Sequence, residues 1–314
     1  MRPAISIGRI LLAIVAAAGC GQRDAGPSAE GRAGQAPPPV GCPVCGPPRA
    51  VGAALSPALT EVSGLIESAI HPGMLYAHND SGDPPRFFAM TRSGADLGAF
   101  AVAGAEAVDW EDMARGPCAP GGPESCLYFA DFGDNREGRD RYALYRVPEP
   151  LAVGAARSRE PALADVFPFI YPDRSHNAEA LLLHPATGAI TVVTKVHFGA
   201  SLVFELPMPL EPGRHVTLVR AGEIAPPHGS PRYTGGDVHP QGRGILMRTY
   251  TSLFFHPMRD GQTVAQALAG APCDLPVADE SQGEAVAWLR SGSGYITVSE
   301  GAGASVQLVT CIWP

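Results

Sequence analysis

The chain has 314 residues, 45% of them hydrophobic, which is enough to bury a sizeable core. Its 37 glycines and 32 prolines favour many short elements joined by turns and argue against a helical bundle. The formal charge of −8 is spread without a basic cluster, so a nucleic-acid-binding surface is not expected.

Residues 1–19 have the features of an export signal. Arg2 and Arg9 flank the start of the apolar run ILLAIVAAA, which is too short to cross a bilayer stably. The small residues directly before Cys20 resemble the lipobox of bacterial lipoproteins. This resemblance implies that Cys20 is lipidated and becomes the mature N-terminus. An ordinary secretory signal cut near Ala18 is the alternative, and both interpretations predict export.

Residues 20–50 are rich in Gly, Pro and Ala and lack hydrophobic periodicity. They are predicted to be a lipidated tether that holds a folded domain, residues 51–314, close to a membrane. Gly21 follows the cysteine, where an aspartate would retain such lipoproteins in an inner membrane. If the source is Gram-negative, the outer membrane is therefore the expected location.

Six cysteines remain after Cys20, an even number that predicts disulfides in an exported chain. Cys118 and Cys126 bracket the Gly/Pro-rich segment APGGPES and are predicted to staple a hairpin. Cys273 and Cys311 are a second candidate pair. Cys42 and Cys45 form a CxxC sequence, for which a local disulfide is favoured over a metal or redox role.

Internal repeats decide the predicted fold. Five segments place an acidic residue at the entry to a short apolar run, and two further apolar strands follow each of them. The acids are Glu61, Glu111, Glu179, Asp237 and Glu284. They lie 47 to 68 residues apart, a spacing typical of the four-stranded blades of a β-propeller.

The predicted fold is therefore an all-β propeller with five blades, and six blades are the alternative. The residues after Glu284 supply only three strands, so the outer strand of the last blade is expected from the N-terminal segment RAVGAALSP. Adding the N-terminal strand to the last blade would leave no open sheet edge between the first and last blades. One short helix is expected within GQTVAQALAGAP.

In a propeller the first strand of each blade lines the central channel, so the five acids should form a ring near one mouth. Residues at the ends of the second strands should lie beside this ring: Asn79, Asp80, Asp131, Lys195, Arg248, Ser299 and Glu300. Such closely spaced carboxylates need partners, because like charges raise one another's pKa.

Two kinds of partner are available. Lys195 and Arg248 could form ion pairs between blades, which needs no ligand. Alternatively, the channel could bind a hard cation such as calcium, which takes six to eight oxygen ligands. The candidate ligands are carboxylates and amides: Asn79, Asp80, Glu111, Asp131, Asn135, Asn177 and Glu179.

The segments EVSGL, HNDSG, DWEDMA, DFGDN, NAEAL and GEAVAW resemble those of extracytoplasmic bacterial propellers, in particular the group of calcium-dependent lactonases and esterase-like phytases. The resemblance covers nearly everything after residue 55. It implies calcium bound by acidic and amide side chains around the channel, with a histidine or the metal activating water. His78, His176 and His239 lie next to channel motifs and are the candidate general bases.

The sequence leaves two functional hypotheses. The first is a lipid-anchored envelope propeller, expected to be monomeric, that binds an unidentified protein or small molecule and holds a structural cation. The second is a calcium-dependent hydrolase of lactones or esters. Kinase, EF-hand, serine-hydrolase and zinc-protease chemistry are not supported, because the spacing of their motifs is missing.

Overall fold

The computed structural model describes residues 41–152 and 162–314. The predicted signal peptide, Cys20 and most of the predicted tether lie outside the described residues. Within them, no helix is long and apolar enough to span a membrane. The one helix, α1 (Val264–Leu268), lies inside the predicted helical segment and begins with a capping box formed by Thr263 and Gln266.

All other regular elements among the described residues are strands. In chain order they are β1 (Val44–Cys45), β2 (Arg49–Ala53), β3 (Val62–Glu67), β4 (Met74–Asn79), β5 (Arg86–Thr91), β6 (Asp96–Ala103), β7 (Trp110–Pro117), β8 (Ser125–Asp131), β9 (Tyr142–Pro148), β10 (Ala162–Leu163), β11 (Asp165–Ile170), β12 (Ala178–Leu183), β13 (Ile190–Thr194), β14 (Ser201–Glu205), β15 (Val216–Thr217), β16 (Val219–Ile224), β17 (Tyr233–Val238), β18 (Gly244–Thr249), β19 (Leu253–Pro257), β20 (Cys273–Leu275), β21 (Gly283–Trp288), β22 (Gly294–Ser299) and β23 (Ser305–Ile312).

These strands form five blades with antiparallel main strands, which confirms the predicted five-bladed propeller, and the short strands β10 and β15 add parallel to the outer edges of blades one and two. Blades one to four are β3–β6, then β7–β9 with β11, then β12–β14 with β16, then β17–β20. Blade five is β21–β23, completed by β1 and β2. The innermost strands β3, β7, β12, β17 and β21 contact one another in cyclic order, so the ring is closed.

The predicted closure of the ring is also confirmed. β2 pairs antiparallel with β23, with Arg49 opposite Leu308, and β1 continues the same edge with Cys45 opposite Cys311. Residues 41–50, which the sequence assigns to the tether, therefore belong to the propeller. Pairing the N-terminal and C-terminal strands stabilises the closed ring because both ends of the chain must separate before the last blade can open.

Three disulfides join the six cysteines, in a pattern that fits an extracytoplasmic protein. The predicted Cys118–Cys126 pair is confirmed. The predicted Cys42–Cys45 and Cys273–Cys311 pairs are wrong, because Cys42 bonds Cys273 of blade four and Cys45 bonds Cys311 of blade five. In an extended chain, the Cα atoms of two residues three positions apart, such as Cys42 and Cys45, are separated by about 10 Å, which is too far for a disulfide. Neighbouring strands bring the observed partners together.

Apolar side chains fill the spaces between the blades. Phe87 of blade one lies 5.2 Å, centroid to centroid, from Phe129 of blade two, and Trp110 stacks on Phe129 at 4.9 Å. Blades four and five meet in the same way through Phe255 and Trp288. This packing holds each innermost strand in a fixed position, so side chains from different blades can converge on the channel.

Candidate functional site

A β-bulge recurs near the start of every innermost strand. The pairing of the first and second strands shifts by one residue at Ser63, Glu111, Glu179, Thr234 and Glu284. Bulges of this kind re-aim a side chain. Three of the five predicted ring acids, Glu111, Glu179 and Glu284, occupy this position. All three are at least 97% buried, and Glu179 lies close enough to the other two to act on their pKa.

The other two predicted ring acids lie elsewhere. Glu61 is exposed and precedes β3, and the bulge position of blade one is Ser63; the Glu61 carboxylate lies near enough to Asp80 to add to the effect of burial, which raises the pKa of that group. Asp237 lies three residues after Thr234, where its carboxylate accepts a hydrogen bond from the Trp288 backbone N–H at 2.8 Å. It fixes blade four to blade five. The ring is therefore acidic in blades two, three and five only.

A second set of residues follows the second strand of each blade. The backbone N–H groups of Asp80, Gly133, Lys195 and Glu300 each donate to the carbonyl of the residue just before the innermost strand of the same blade, at 2.9–3.0 Å. These four residues are thus equivalent in blades one, two, three and five. Asp80, Lys195 and Glu300 are half-buried, so this end of the channel opens to solvent.

Blade two has glycine at this position, and the missing side chain makes room for two acids. A Cβ on Gly133 would lie 2.2 Å from Glu111 Oε1 and 2.5 Å from Asp109 Oδ2. Asp109 directly precedes β7, so blade two contributes two carboxylates, as blade five does with Glu284 and Glu300, whereas blades one and three contribute one each. Carboxylate oxygens of Asp80, Asp109 and Glu111 lie within 4.8 Å of one another.

Six carboxylates converge at this end of the channel, which we call the acidic mouth: Asp80, Asp109, Glu111, Glu179, Glu284 and Glu300. Among the described residues, their one ion pair is that of Lys195 Nζ with Glu179 Oε1, at 2.7 Å. The Lys195 ammonium also lies 5.0 Å from the centroid of the Tyr250 ring. One ammonium group leaves most of the negative charge uncompensated.

Burial and then the neighbouring charges raise the pKa of three carboxylates in the acidic mouth, Asp109, Glu111 and Glu284. Burial, and then the charges of Asp80 and Glu179, raise the pKa of Asp109 to about 7. Burial, and then Glu179, raise the pKa of Glu284 to about 9. The pKa of Glu111 is also well above its usual value, mainly because of burial and then because of Glu179, Asp80 and Asp109. Each carboxylate favours a proton or an added cation.

Two oxygens in the acidic mouth are buried without a hydrogen-bond partner. They are Glu179 Oε2 and Glu284 Oε2, and their residues are 1% and 3% exposed. A buried unpaired carboxylate oxygen is costly, so such atoms usually have a partner. These oxygens and the converging carboxylates fit a hard cation, which prefers oxygen ligands; without a cation, a proton shared between Glu179 and Glu111 or between Glu284 and Glu300 can serve them.

Asp112, the acid next to Glu111, closes the channel behind the acidic mouth. It is buried, and its Oδ2 accepts hydrogen bonds from the N–H groups of Leu181 at 2.8 Å and Gly236 at 3.3 Å. It thereby connects the innermost strands of blades two, three and four. The innermost strands are consequently held together directly behind Glu111.

Three other predicted metal ligands are occupied by hydrogen bonds. Asp131 pairs with Arg139 at 2.8 Å and accepts the Asp109 N–H at 3.0 Å. Asn79 Oδ1 accepts two backbone N–H groups before β3. Asn177 Oδ1 accepts the Asp134 N–H at 2.7 Å, and its Nδ2 donates to Glu179 Oε1 at 3.3 Å. The named oxygens already have hydrogen-bond or ion-pair partners. These residues therefore orient the neighbouring acids and loops and are not free ligands of the acidic mouth.

Arg248 and His176 also lie outside the acidic mouth. Arg248 is fully buried between blades four and five, where it pairs with Glu280 and donates to Ala285 O at 2.8 Å. Glu280 lies in the loop that leads into blade five, so Arg248 forms an ion pair between blades as predicted, whereas the Lys195 pair joins two strands of one blade. His176 lies beside Asp173, with Nε2 to Oδ1 at 3.0 Å.

The other candidate general bases are core residues. His78 packs edge-on against Trp110, and His239 packs in the same way against Trp288. Both rings are at most 1% exposed, and burial lowers the pKa of each to about 4. A histidine-driven mechanism at the channel is thus unsupported by these three residues.

Sequence reasoning missed Asp109 and Gly133 as parts of the site. Both could have been found by comparing positions around each aligned acid: VDWE has a second acid two residues before Glu111, and DFGDN has a glycine where blade one has Asp80. No protein-family model and no curated protein matches the chain, so the geometry alone carries the functional argument.

Proposed function

We propose that this protein is a lipid-anchored envelope propeller that binds a hard divalent cation, most simply Ca²⁺, in the acidic mouth and presents the surrounding loops to a ligand. The observation that carries the proposal is the approach of Asp80, Asp109 and Glu111 to within 4.8 Å, with unpartnered oxygens on Glu179 and Glu284 beside them. An acidic cluster alone is common. Buried unpaired oxygens next to it are not.

The donor set matches the chemistry of calcium. Asp80, Asp109 and Glu111 would hold the ion, and Glu179 and Glu284 would complete its charge compensation. Ca²⁺ accepts six to eight oxygens in flexible geometry, whereas Mg²⁺ demands a smaller octahedral site. Bound there, the ion would supply positive charge at the open end of the channel, where solvent or a ligand oxygen can reach it.

An exposed aromatic side chain supports the binding role. Phe198, on the loop that follows Lys195, is 91% exposed. Single exposed apolar residues are common. Phe198 lies three positions after Lys195 in the loop that follows β13, on the side where the channel opens. A ligand that contacts the cation could also contact this ring.

The cation proposal is tested with full-length protein purified in mild detergent and stripped of metal. Isothermal titration calorimetry with CaCl₂ should give one binding site per chain, and saturating Ca²⁺ should raise the melting temperature. MgCl₂ should give weaker binding. Absence of heat and of any melting shift with either cation would overturn the proposal.

The pKa shifts predict how pH changes the stability of the metal-free protein. Because folding raises the pKa of Asp109 from 3.8 to about 7 and that of Glu284 from 4.5 to about 9, their protonated forms favour the folded state. This stabilisation is complete below about pH 4, decreases progressively above it, and is fully lost above about pH 7 for Asp109 and above about pH 9 for Glu284. We expect the melting temperature of wild type to fall over this range more steeply than that of the Asp109→Asn variant.

Saturating Ca²⁺ should remove this difference, because the cation favours the ionised carboxylates. Melting curves between pH 5 and pH 9, with and without CaCl₂, measure both trends. Parallel pH profiles for wild type and Asp109→Asn in metal-free buffer would contradict the assignment.

The lipid anchor makes a separate prediction about Cys20. The Cys20→Ala chain should lose incorporation of radiolabelled palmitate and leave the membrane fraction, because no acylated cysteine then holds it. The Gly21→Asp chain is the matched control and should keep the label. Label that persists in Cys20→Ala would show that the lipoprotein assignment is wrong.

The rival function is a calcium-dependent hydrolase of lactones or esters. One observation favours it: Asp80, Asp109 and Glu111 converge beside half-buried residues at the open end of the channel, where a bound cation could polarise a water or an ester carbonyl. Turnover of a lactone and aryl-ester panel that disappears with chelator and in Asp109→Asn would support this function. No turnover by calcium-saturated protein would exclude it for these substrates.

A further inference from the structure

The chain contains a single lysine. Of its 23 Lys and Arg residues, only residue 195 is lysine, and all others are arginine. That lysine is the residue that pairs with Glu179 in the acidic mouth. In a chain that otherwise uses arginine for every cationic side chain, the acidic mouth has the one compact ammonium group.

The nearby arginines form pairs with several simultaneous contacts. Arg139 pairs with Asp131 and also donates to Gly133 O at 2.8 Å, and Arg248 pairs with Glu280 and also donates to Ala285 O at 2.8 Å. A guanidinium group with several donors is fixed by such contacts. Arg139 and Arg248 therefore hold loop residues in fixed positions relative to the strands.

Lys195 is held differently. Its hydrogen bond to Glu179 Oε1, at 2.7 Å, is supplemented by the face of the Tyr250 ring. Its side chain is 13% exposed and lies at the open end of the channel. An ammonium on a flexible four-carbon stem can therefore leave Glu179 without disturbing the backbone.

We propose that Lys195 is a displaceable internal counter-ion: a divalent cation bound by Asp80, Asp109 and Glu111 repels its ammonium group from Glu179, which then becomes a further ligand. The inference rests on the proposed cation site. It adds that metal binding moves Lys195 toward the rim beside Phe198, so the loop surface differs between the metal-free and metal-bound protein.

The sole lysine gives a direct readout in the unmodified protein. Growth with ¹³C-labelled lysine yields one lysine Cε resonance, and full-length protein in detergent is titrated with CaCl₂ while calorimetry is run on the same sample. We expect the resonance to move in step with the binding heat. Binding heat with an unmoved resonance would overturn the counter-ion role alone. No heat would overturn the cation site and the counter-ion role with it.

Two variants test the same inference by affinity. Lys195→Met removes the competing charge with a side chain of similar length and should tighten Ca²⁺ binding by about tenfold or more. Lys195→Arg keeps the charge and should not tighten it. Equal or weaker binding by Lys195→Met, with the variant folded as judged by circular dichroism, would show that Lys195 does not compete with the cation. If Lys195→Met does not fold, the resonance experiment on wild type decides.

Discussion

Replacing Glu111 with glutamine is expected to abolish calcium binding and the calcium-dependent rise in melting temperature. Glu111 is 2% exposed, it is one of the three residues whose oxygens converge, and it contacts the space left by Gly133. Glutamine keeps the size of the side chain and removes its charge. At a free Ca²⁺ concentration 100-fold above Kd, wild type should gain about 2.7 kcal/mol of stability, and Glu111→Gln should gain none.

The metal-free Glu111→Gln protein should be at least as stable as wild type. Glu111 is buried among acids, so its neutral replacement relieves repulsion in the absence of a cation. If Glu111→Gln no longer responds to calcium but unfolds at a temperature no lower than that of metal-free wild type, the variant has lost a calcium ligand and is still folded. Calorimetry and thermal melting of both proteins, with and without CaCl₂, provide the comparison.

Asp237→Asn is the matched control for this experiment. Asp237 is also a buried acid on an innermost strand, but it accepts the Trp288 N–H and lies away from the acidic mouth. Its replacement should leave the calcium response intact. If Asp237→Asn removes the response while Glu111→Gln keeps it, the cation site has been placed at the wrong end of the channel.

Removing the disulfide between Cys45 and Cys311 should destabilise the protein strongly. This bond fixes the N-terminal strand to β23 and completes blade five, and with Cys42–Cys273 intact it closes the loop formed by the segments 42–45 and 273–311. The Cys45→Ser/Cys311→Ser variant should lose about 2–5 kcal/mol of unfolding free energy. Denaturant unfolding under oxidising conditions measures the change.

The Cys118–Cys126 disulfide is the internal control. It spans only 8 positions within one blade, so its removal should cost less than removal of the Cys45–Cys311 bond. The Cys42–Cys273 bond stays intact in both variants and keeps the chain end near blade four. A larger loss from the Cys118–Cys126 pair would contradict the view that ring closure limits stability.

Much of the fold was predictable because it repeats along the chain. Each blade has the same order of an acid or polar residue, apolar strands and Gly/Pro turns, and local patterns of this kind need no knowledge of distant contacts. The number of blades followed from the spacing of the repeats. The N-terminal closing strand followed from the shortage of strands after Glu284, and the Cys118–Cys126 staple from its short spacing.

The positions of Glu111, Glu179 and Glu284 were predictable for the same reason. Glu61 and Asp237 were misplaced because the repeats were aligned on acidic residues, whereas the property shared by the innermost strands is the bulge. Asp237 lies three residues beyond the bulge, and an odd shift puts a side chain on the other side of a strand, whereas Glu61 lies two residues before the bulge and outside β3. Glu61 consequently stays exposed, and Asp237 caps a neighbouring strand.

Only the tertiary structure decided which side chains meet across blades. The stretch YFADFGDN illustrates this: Asp131 is neutralised by Arg139, Asp134 accepts backbone N–H groups of its own loop, and the functional feature is the absent side chain of Gly133. Disulfide partners, hydrogen-bond partners and the convergence of carboxylates depend on distances between residues far apart in sequence. A five-bladed ring with acids near its axis can be predicted from the repeats alone, because repetition is a local property. Packing between blades determined which of those acids form a site.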